Sequence, residues 1–243
     1  MRAERPAFYA LRSGGWRDYV TLLHPPYTGW HLSYVAIGAA AAPRFDGGRL
    51  GATALAFFLA VGLSAHALDE LSGHPLRTRI SDRTLRAIAF VGLGGAVAIG
   101  VLGAAKVSWW LLAFVAFGTL VVPAYNLELL GGRLHDDFWF SLSWGAFPAV
   151  TGYFAQDGSL GWSVVPVGLA CLLLSSAQRR LSTPVRELRR RVAHVDGRIV
   201  FEDGTERRLD AGALRAAPET ALRAMAFGLM ALAAGLVIAR LAL

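Results

Sequence analysis

Seven apolar segments, separated by polar loops, run along most of the chain. Their lengths approach the ~20 residues that a helix needs to cross a bilayer, and the apolar residues are contiguous rather than confined to one helical face. They cover 30–42, 50–68, 87–105, 108–125, 138–154, 160–177 and 220–241. The first is short, and His24-Pro25-Pro26 marks its start, since proline is tolerated in the first turn of a helix. This pattern predicts an all-α polytopic membrane protein.

The composition supports that class. Of 243 residues, 55% are hydrophobic and 17% are charged, whereas soluble domains carry about 25% charged residues. A disordered chain is excluded and an ordinary soluble domain is disfavoured. Cys171 is the one cysteine and lies in an apolar segment, so no disulfide framework or cysteine metal site is expected. The polar start of the chain lacks the apolar stretch of a cleavable signal peptide.

The basic residues predict an orientation. If the seven segments cross the membrane in turn, the loops 1–29, 69–86, 126–137 and 178–219 share one face, called here the basic face. It carries twenty arginines, counting Arg223 at the start of the last segment, and the opposite face carries four basic residues. Loops rich in Lys and Arg stay in the cytoplasm. We therefore expect an integral protein of a prokaryotic cell membrane with a cytoplasmic N-terminus, and no nucleic acid partner despite the net charge of +7.

The one long polar stretch lies between the sixth and seventh segments. Within it, Thr183-Pro184 predicts a helix start, and Asp203-Gly204 between two alternating runs predicts a β-hairpin. Pro218 predicts the start of the last helix. The expected organisation is an amphipathic cytoplasmic segment, a bundle of six spans, a cytoplasmic basic helix with the hairpin, and a final transmembrane helix, at 1–29, 30–177, 178–219 and 220–243.

Two short polar signals predict helix starts elsewhere. Ser81-Asp82 precedes the third apolar segment, and Asp136-Asp137 precedes the fifth. Serine and aspartate favour the N-cap position, because their oxygens accept from free backbone N–H groups.

A cluster of chemically active residues lies at the end of the second apolar segment. His66, Asp69 and Glu70 are three and four residues apart, which places them on one face of a helix. Membrane anchors are typically Arg or Lys, so a His/Asp/Glu set indicates a functional site, with a solvated helix end as the alternative. We take all three as catalytic candidates and the two carboxylates as candidate Mg²⁺ ligands.

Two further loops on the basic face carry candidate binding residues. Tyr125, Asn126 and Glu128 follow the fourth segment and are candidates for a cavity or acceptor site. Arg179 and Arg180 follow the sixth segment. Guanidinium groups suit diphosphate, since their planar fork donates two hydrogen bonds at once.

In these stretches the chain resembles the UbiA superfamily of intramembrane prenyltransferases. The likeness rests on four stretches, at 22–27, 65–79, 125–153 and 178–186. The second occupies the place of the family's first Asp-rich motif, and Arg77-Thr78-Arg79 is its most specific part. The resemblance implies a UbiA-like helical bundle, here of about seven transmembrane helices with a small cytoplasmic β-hairpin.

The resemblance also implies an activity. Family members bind an isoprenyl diphosphate through Mg²⁺ and transfer the prenyl group to a lipid or aromatic acceptor. On this chain Asp69 would be a metal ligand helped by Glu70 or His66, and Arg77 and Arg79 would contact the diphosphate.

The chain departs from the family pattern in ways that leave alternatives open. The first acidic motif is reduced, and Gln178-Arg179-Arg180 stands where the second would fall. Either these arginines replace the charge of a second metal, or the protein keeps the fold as a lipid-binding or assembly factor with a protein partner at 178–219. A third alternative is a transition-metal enzyme with mixed ligands, namely His66, Asp69, Glu70, Glu128 and His135.

Overall fold

The computed structural model describes residues 5–242, which are predominantly helical. The helices are α1 (Trp16–Leu22), α2 (Pro25–Ala41), α3 (Gly47–Leu71), α4 (Asp82–Lys106), α5 (Leu111–Asn126), α6 (137–157), α7 (Val164–Arg190) and α8 (Ala211–Leu241). Strands β1 (Gly197–Val200) and β2 (Glu206–Leu209) form an antiparallel pair. The main part of each of the seven apolar segments therefore lies on its own helix, α2 to α8.

Four of the described helices, α3, α4, α7 and α8, are long and apolar enough to cross a membrane. Helix α5 is apolar but has only 16 residues. Integral membrane association is therefore compatible with the structure at the level of these four helices. The count of seven spans stays a prediction.

Helices α2 and α6 form the centre of the bundle and pack very closely. A Cβ atom on Gly38 of α2 would lie 1.9 Å from the Ala149 carbonyl oxygen, and one on Gly152 of α6 would lie 2.3 Å from the Val35 carbonyl oxygen. Glycine at both positions allows the two backbones to touch. Trp30 of α2 is fully buried in a cluster with Ala149 of α6, Cys171 of α7 and Leu222 of α8.

Two helices change from α to π geometry midway. Helix α3 does so at Phe58–Ala65 and α6 at Leu142–Ala146. Such segments redirect side chains and occur frequently at functional sites. Here the two segments contribute Val61 and Trp144 to one buried hydrophobic cluster.

Local capping signals are confirmed at two predicted positions. The Ser81 hydroxyl accepts from the Thr84 N–H at the start of α4, and Asp136 accepts from the Trp139 N–H at the start of α6. The hairpin is also present, with Gly204 at φ +81° and the Asp203 carboxylate accepting from the backbone N–H of Thr205.

The predicted helix start at Thr183 is wrong, because α7 continues through Pro184 to Arg190. The hydroxyls of Ser182 and Thr183 donate to the Arg179 carbonyl, which supports the turn before the proline. The final helix also begins earlier than expected, at Ala211, because Asp210 caps it, and it continues through Pro218.

A nearly buried ion pair joins the extended ends of these two helices. Arg189 of α7 pairs with Glu219 of α8, and the two side chains are 10% and 9% exposed. The second oxygen of Glu219 accepts from Nη2 of Arg189 at 2.8 Å. This contact lies within one turn of Pro218 and two turns of Pro184, so tertiary packing keeps both helices intact past their prolines.

Candidate functional site

A polar cavity of about 300 Å³ lies at the end of the bundle that carries the basic face. Its wall is built by the ends of α2, α3, α5, α6 and α7, and by the N-terminal residues 6–9. The polar side chains that line it are those of Tyr9, His24, Tyr27, His31, His66, Asp69, Tyr125, Asn126, His135, Gln178, Arg179, Ser182, Arg186, Arg189 and Arg190.

Four arginines of α7 dominate the charge of this cavity. Arg179 pairs with Asp137 at 3.1 Å and lies over the Phe140 ring, and Arg189 is held by Glu219. Arg186 donates to the hydroxyls of Ser182 and Thr183 on its own helix.

Arg190 donates to the Pro6 carbonyl at 3.3 Å. Neither Arg186 nor Arg190 has an ion-pair partner among the described carboxylates. Two guanidinium charges are therefore available to an anion.

Four histidines contribute rings to the same wall. His24 and His66 stack with centroids 4.1 Å apart. Nδ1–H of His31 donates to the Trp144 carbonyl at 2.8 Å, and Nδ1–H of His135 donates to the Tyr125 carbonyl at 2.9 Å. A carbonyl only accepts, so these contacts put the proton on Nδ1 and leave a lone pair on Nε2 of the neutral ring.

His24 has an unusual backbone and environment. It is the N-cap of α2 at φ +45°, a left-handed conformation that is uncommon outside glycine. Burial lowers its pKa well below the ordinary histidine value, and the neighbouring charges of His66 and Arg190 act in the same direction. His24 is therefore neutral at physiological pH.

Three polar atoms in the cavity wall are buried without a hydrogen-bond partner among the described residues. They are Nε2 of His24, the hydroxyl of Tyr125 and Oε1 of Gln178. The three side chains are 8%, 4% and 3% exposed. Unsatisfied buried polar groups are costly, so their convergence on one cavity indicates a polar ligand.

Asp69 and Glu70, adjacent in the chain, have different surroundings. Asp69 lines the cavity, but Glu70 is fully buried beside it and holds the following loop. Its two oxygens accept from the backbone N–H groups of Leu76 and Thr78 at 2.9 and 3.0 Å, and from the Thr78 hydroxyl at 2.8 Å. The acceptor capacity of Glu70 is therefore used in positioning a loop.

Several sequence candidates lie away from the cavity. Arg77, Arg79 and Arg180 are exposed and do not belong to its described lining. The backbone N–H of Arg79 donates to Asp18, which ties the loop to α1. Glu128 is also exposed, at φ +50° after α5. Of the candidates, the structure brings together His66, Asp69, Tyr125, Asn126 and Arg179.

The donor set does not fit the Mg²⁺ site that the resemblance implies, in which two acidic motifs hold the metal. Asp69 is the one carboxylate in the described lining, the fewest with which Mg²⁺ is usually held beside substrate phosphates. The two motifs that would share the metal contribute one carboxylate and several arginines here. Among residues 5–242, no group of three or more His, Cys, Asp or Glu could hold a metal ion, so the mixed transition-metal set is not assembled either.

An apolar groove of about 630 Å³ adjoins the polar cavity and shares two lining residues with it. It lies between α3, α4, α5 and α6 and runs towards Arg49 and Lys106 at the opposite end of the bundle. Val61 and Trp144 line both spaces, and both stand in the π-helical segments. Both volumes fall in the range of about 300–1,000 Å³ that ligand pockets occupy.

The N-terminal segment closes the cavity from the basic face. Residues 6–9 are part of its wall, and the Tyr9 ring packs against His24 and Tyr27 at centroid distances of 5.2 and 5.5 Å. The Phe8 ring lies under Arg223 of α8 at 4.8 Å. The segment we expected to be an amphipathic cytoplasmic lead is thus a structural part of the site.

Sequence reasoning missed Arg186, Arg190, Gln178, His24 and His31 as site residues. A signal was present, since Arg179, Arg186 and Arg190 are seven and four residues apart, a helical repeat. The predicted helix start at Thr183 broke that repeat and hid it. Comparison of the chain with protein-family models, with curated proteins and with solved structures gives no match.

Proposed function

We propose that this chain is a UbiA-like integral membrane transferase that moves a prenyl group from an isoprenyl diphosphate to a lipid or aromatic acceptor. The observation that carries the proposal is the junction at Val61 and Trp144, the two residues that line both the cationic cavity and the apolar groove. Such a pair of spaces matches an amphiphile with an anionic head and a hydrocarbon tail. The tail occupies the groove, and the head lies among the α7 arginines.

The proposed topology places the cavity on the cytoplasmic side. Helices α2 to α8 each cross the membrane, with α2 and α6 enclosed by the others. Being enclosed, these two helices need not be apolar on every side, which accounts for polar residues such as His31 and Gln156 on them. The basic face follows the positive-inside rule.

The residues of the cavity suit the chemistry of prenyl transfer. The bond between C1 of the prenyl chain and the diphosphate oxygen breaks, and the electron pair leaves on the diphosphate. Arginines beside the head stabilise that charge, which is the type of electrostatic contribution that lowers such barriers. A nucleophilic atom of the acceptor bonds to C1, and its proton passes to a base in the wall, for which Asp69 and neutral His66 are the candidates.

Aromatic side chains stand where positive charge develops on the tail. Trp144 lies at the junction, with the Tyr125 ring at 5.7 Å and edge-on to it. The faces of such rings attract cations. This arrangement supports a transferase over a protein that only binds lipid phosphate.

Purified protein in nanodiscs, incubated with labelled geranyl, farnesyl or geranylgeranyl diphosphate and a panel of aromatic and lipid acceptors, tests the proposal. Release of diphosphate coupled to labelled product supports it. Asp69→Asn and His66→Gln identify the base, since the variant that loses it keeps substrate binding but loses turnover. Failure of all three diphosphates to bind would overturn the proposal.

A second candidate is a lipid-binding or assembly protein without turnover. It is favoured by the single carboxylate in the cavity and by the exposed hairpin, on which Val200 and Phe201 are 59% and 44% exposed. Tight diphosphate binding without product from any acceptor, together with loss of a copurifying partner when 194–209 is deleted, would favour this function.

A further inference from the structure

We infer that the anionic head is bound directly by guanidinium groups, chiefly those of Arg186 and Arg190, without a bridging divalent cation. The inference rests on the ligand class of the proposed function. It departs from what the family resemblance implies, because Asp69 becomes a residue that weakens head-group binding. The chemistry recognised is that of a phosphate or diphosphate on a lipid.

The charge of the cavity is the first argument. The described lining contains four arginines and one carboxylate, and two of the arginines are neutralised by Asp137 and Glu219. What remains is Arg186, Arg190 and the opposing Asp69. These two cations and one anion leave a net positive charge, which attracts an anionic head without a metal. A dication would add to that positive charge.

Arg186 is already held in position for an anion. Its Nη1 and Nη2 each donate one hydrogen bond, to the Ser182 hydroxyl at 3.0 Å and to the Thr183 hydroxyl at 3.1 Å. A guanidinium has five N–H donors, so three remain for a ligand. Because the side chain is half-buried and tethered, little conformational freedom is lost on binding.

Buried atoms without partners provide an independent argument. The Tyr125 hydroxyl, Nε2 of His24 and Oε1 of Gln178 converge on the same cavity as the arginines. A phosphate oxygen accepts from the Tyr125 hydroxyl directly, and from Nε2 of His24 in the tautomer that carries its proton there. Oε1 of Gln178 is satisfied by a protonated phosphate oxygen or by water bound to the head group.

Equilibrium binding in nanodiscs of a neutral phospholipid tests the inference. The probes are farnesyl diphosphate, farnesol, inorganic diphosphate and phosphatidic acid, each with EDTA or with Mg²⁺. We expect farnesyl diphosphate to bind equally well in both conditions, and farnesol to bind far more weakly. Arg186→Gln should weaken binding about 10- to 100-fold, as expected for lost hydrogen bonds to a charged group.

Two variants make the result decisive. Arg180→Gln, an exposed arginine on the same helix, is the matched control and should leave affinity unchanged. Asp69→Asn should bind farnesyl diphosphate several-fold more tightly, because a negative charge beside the head is removed at constant shape. A metal ligand at Asp69 would produce the opposite sign.

The outcomes separate this inference from the proposed function. Binding that requires Mg²⁺ and is lost in Asp69→Asn would overturn the inference and leave the transferase intact. Tight binding of phosphatidic acid but not of farnesyl diphosphate, sensitive to Arg186→Gln in EDTA, would support the arginine site and overturn prenyl transfer. Absence of binding of every phosphate probe would overturn both.

Discussion

His24 and His66 stack with their ring planes 11° from parallel and their centroids 4.1 Å apart. The contact joins the first residue before α2 to α3 and places both rings in the cavity wall. The positive charges of Arg186 and Arg190 on α7 help to lower the pKa of His24. The Tyr9 ring of the N-terminal segment packs against the His24 ring. Two protonated rings at this distance would repel each other, so the geometry requires that they not both be charged.

The buried neutral state of His24 predicts an acid-sensitive fold. Its pKa is lowered mainly by burial, so the unfolded chain binds a proton at His24 at a higher pH than the folded chain does. Its contribution to stability is complete above about pH 6.5 and is lost as the pH falls towards the folded pKa. The unfolding temperature in detergent should therefore decrease from about pH 7.5 to about pH 5.

A variant comparison isolates this residue from other acid effects. His24→Gln should show a shallower pH dependence than the parent protein, and His194→Gln, at an exposed position, should keep the parent's dependence. Equal slopes in all three proteins would show that His24 does not bind the proton.

The junction at Val61 and Trp144 predicts a variant that weakens binding of the hydrocarbon tail without affecting binding of the anionic head. Val61→Trp enlarges a side chain that lines both the cavity and the groove, so farnesyl diphosphate should lose most of its affinity while inorganic diphosphate keeps its own. Val101→Trp, on an exposed side of α4 and outside the groove lining, is the control. Overpacking can cost about 1–3 kcal/mol, so unfolding temperatures are measured alongside binding by scintillation proximity.

Parallel loss of both ligands in Val61→Trp, in protein that remains folded, would argue against a tail that passes this point. Unchanged binding of both would argue that the groove is not used.

Glu70 is predicted to stabilise the fold, with no direct contact to the ligand. Glu70→Gln replaces one acceptor oxygen by an N–H donor that faces the Leu76 or Thr78 N–H group, and a buried donor left unsatisfied costs about 1–3 kcal/mol. Thermal unfolding should reveal this loss, while Glu128→Gln, at an exposed position, should have no effect. A direct ligand role would instead appear as weaker diphosphate binding at unchanged stability.

The α2–α6 contact predicts a strong response to one methyl group. Gly38→Ala places a Cβ 1.9 Å from a backbone oxygen of α6, which cannot be relieved by a side-chain rotation. We expect destabilisation of at least the 1–3 kcal/mol typical of overpacking, measured as reduced yield of folded protein and a lower unfolding temperature. Gly228→Ala on α8, where no atom of the described chain lies within 4 Å of the added Cβ, should be tolerated.

The proposed orientation predicts which loops are accessible from outside the cell. In a Cys171→Ser background, Thr205→Cys in the hairpin should react with a membrane-impermeant maleimide only after lysis. Ser159→Cys, in the loop after α6, should react in intact cells. Reversed labelling would place the cavity on the external side.

Local sequence determined the helices and their polar ends. Apolar length located α2 to α8, Ser81 and Asp136 located two helix starts, and Asp203-Gly204 located the hairpin. These features depend on neighbours within a few residues, so a linear pattern contains them. The spacing of His66 and Asp69 likewise placed two real cavity residues on one helical turn.

The tertiary structure decided which polar residues act together. Glu70 lies next to Asp69 in the chain, yet its carboxylate accepts hydrogen bonds from the backbone of Leu76 and Thr78 and so has a structural role. Arg186 and Arg190 enter the cavity while Arg180 does not, because α7 continues through Pro184 and keeps a single helical phase. That continuity comes from packing against α8, where Arg189 meets Glu219, a residue distant in sequence, and no local propensity encodes it.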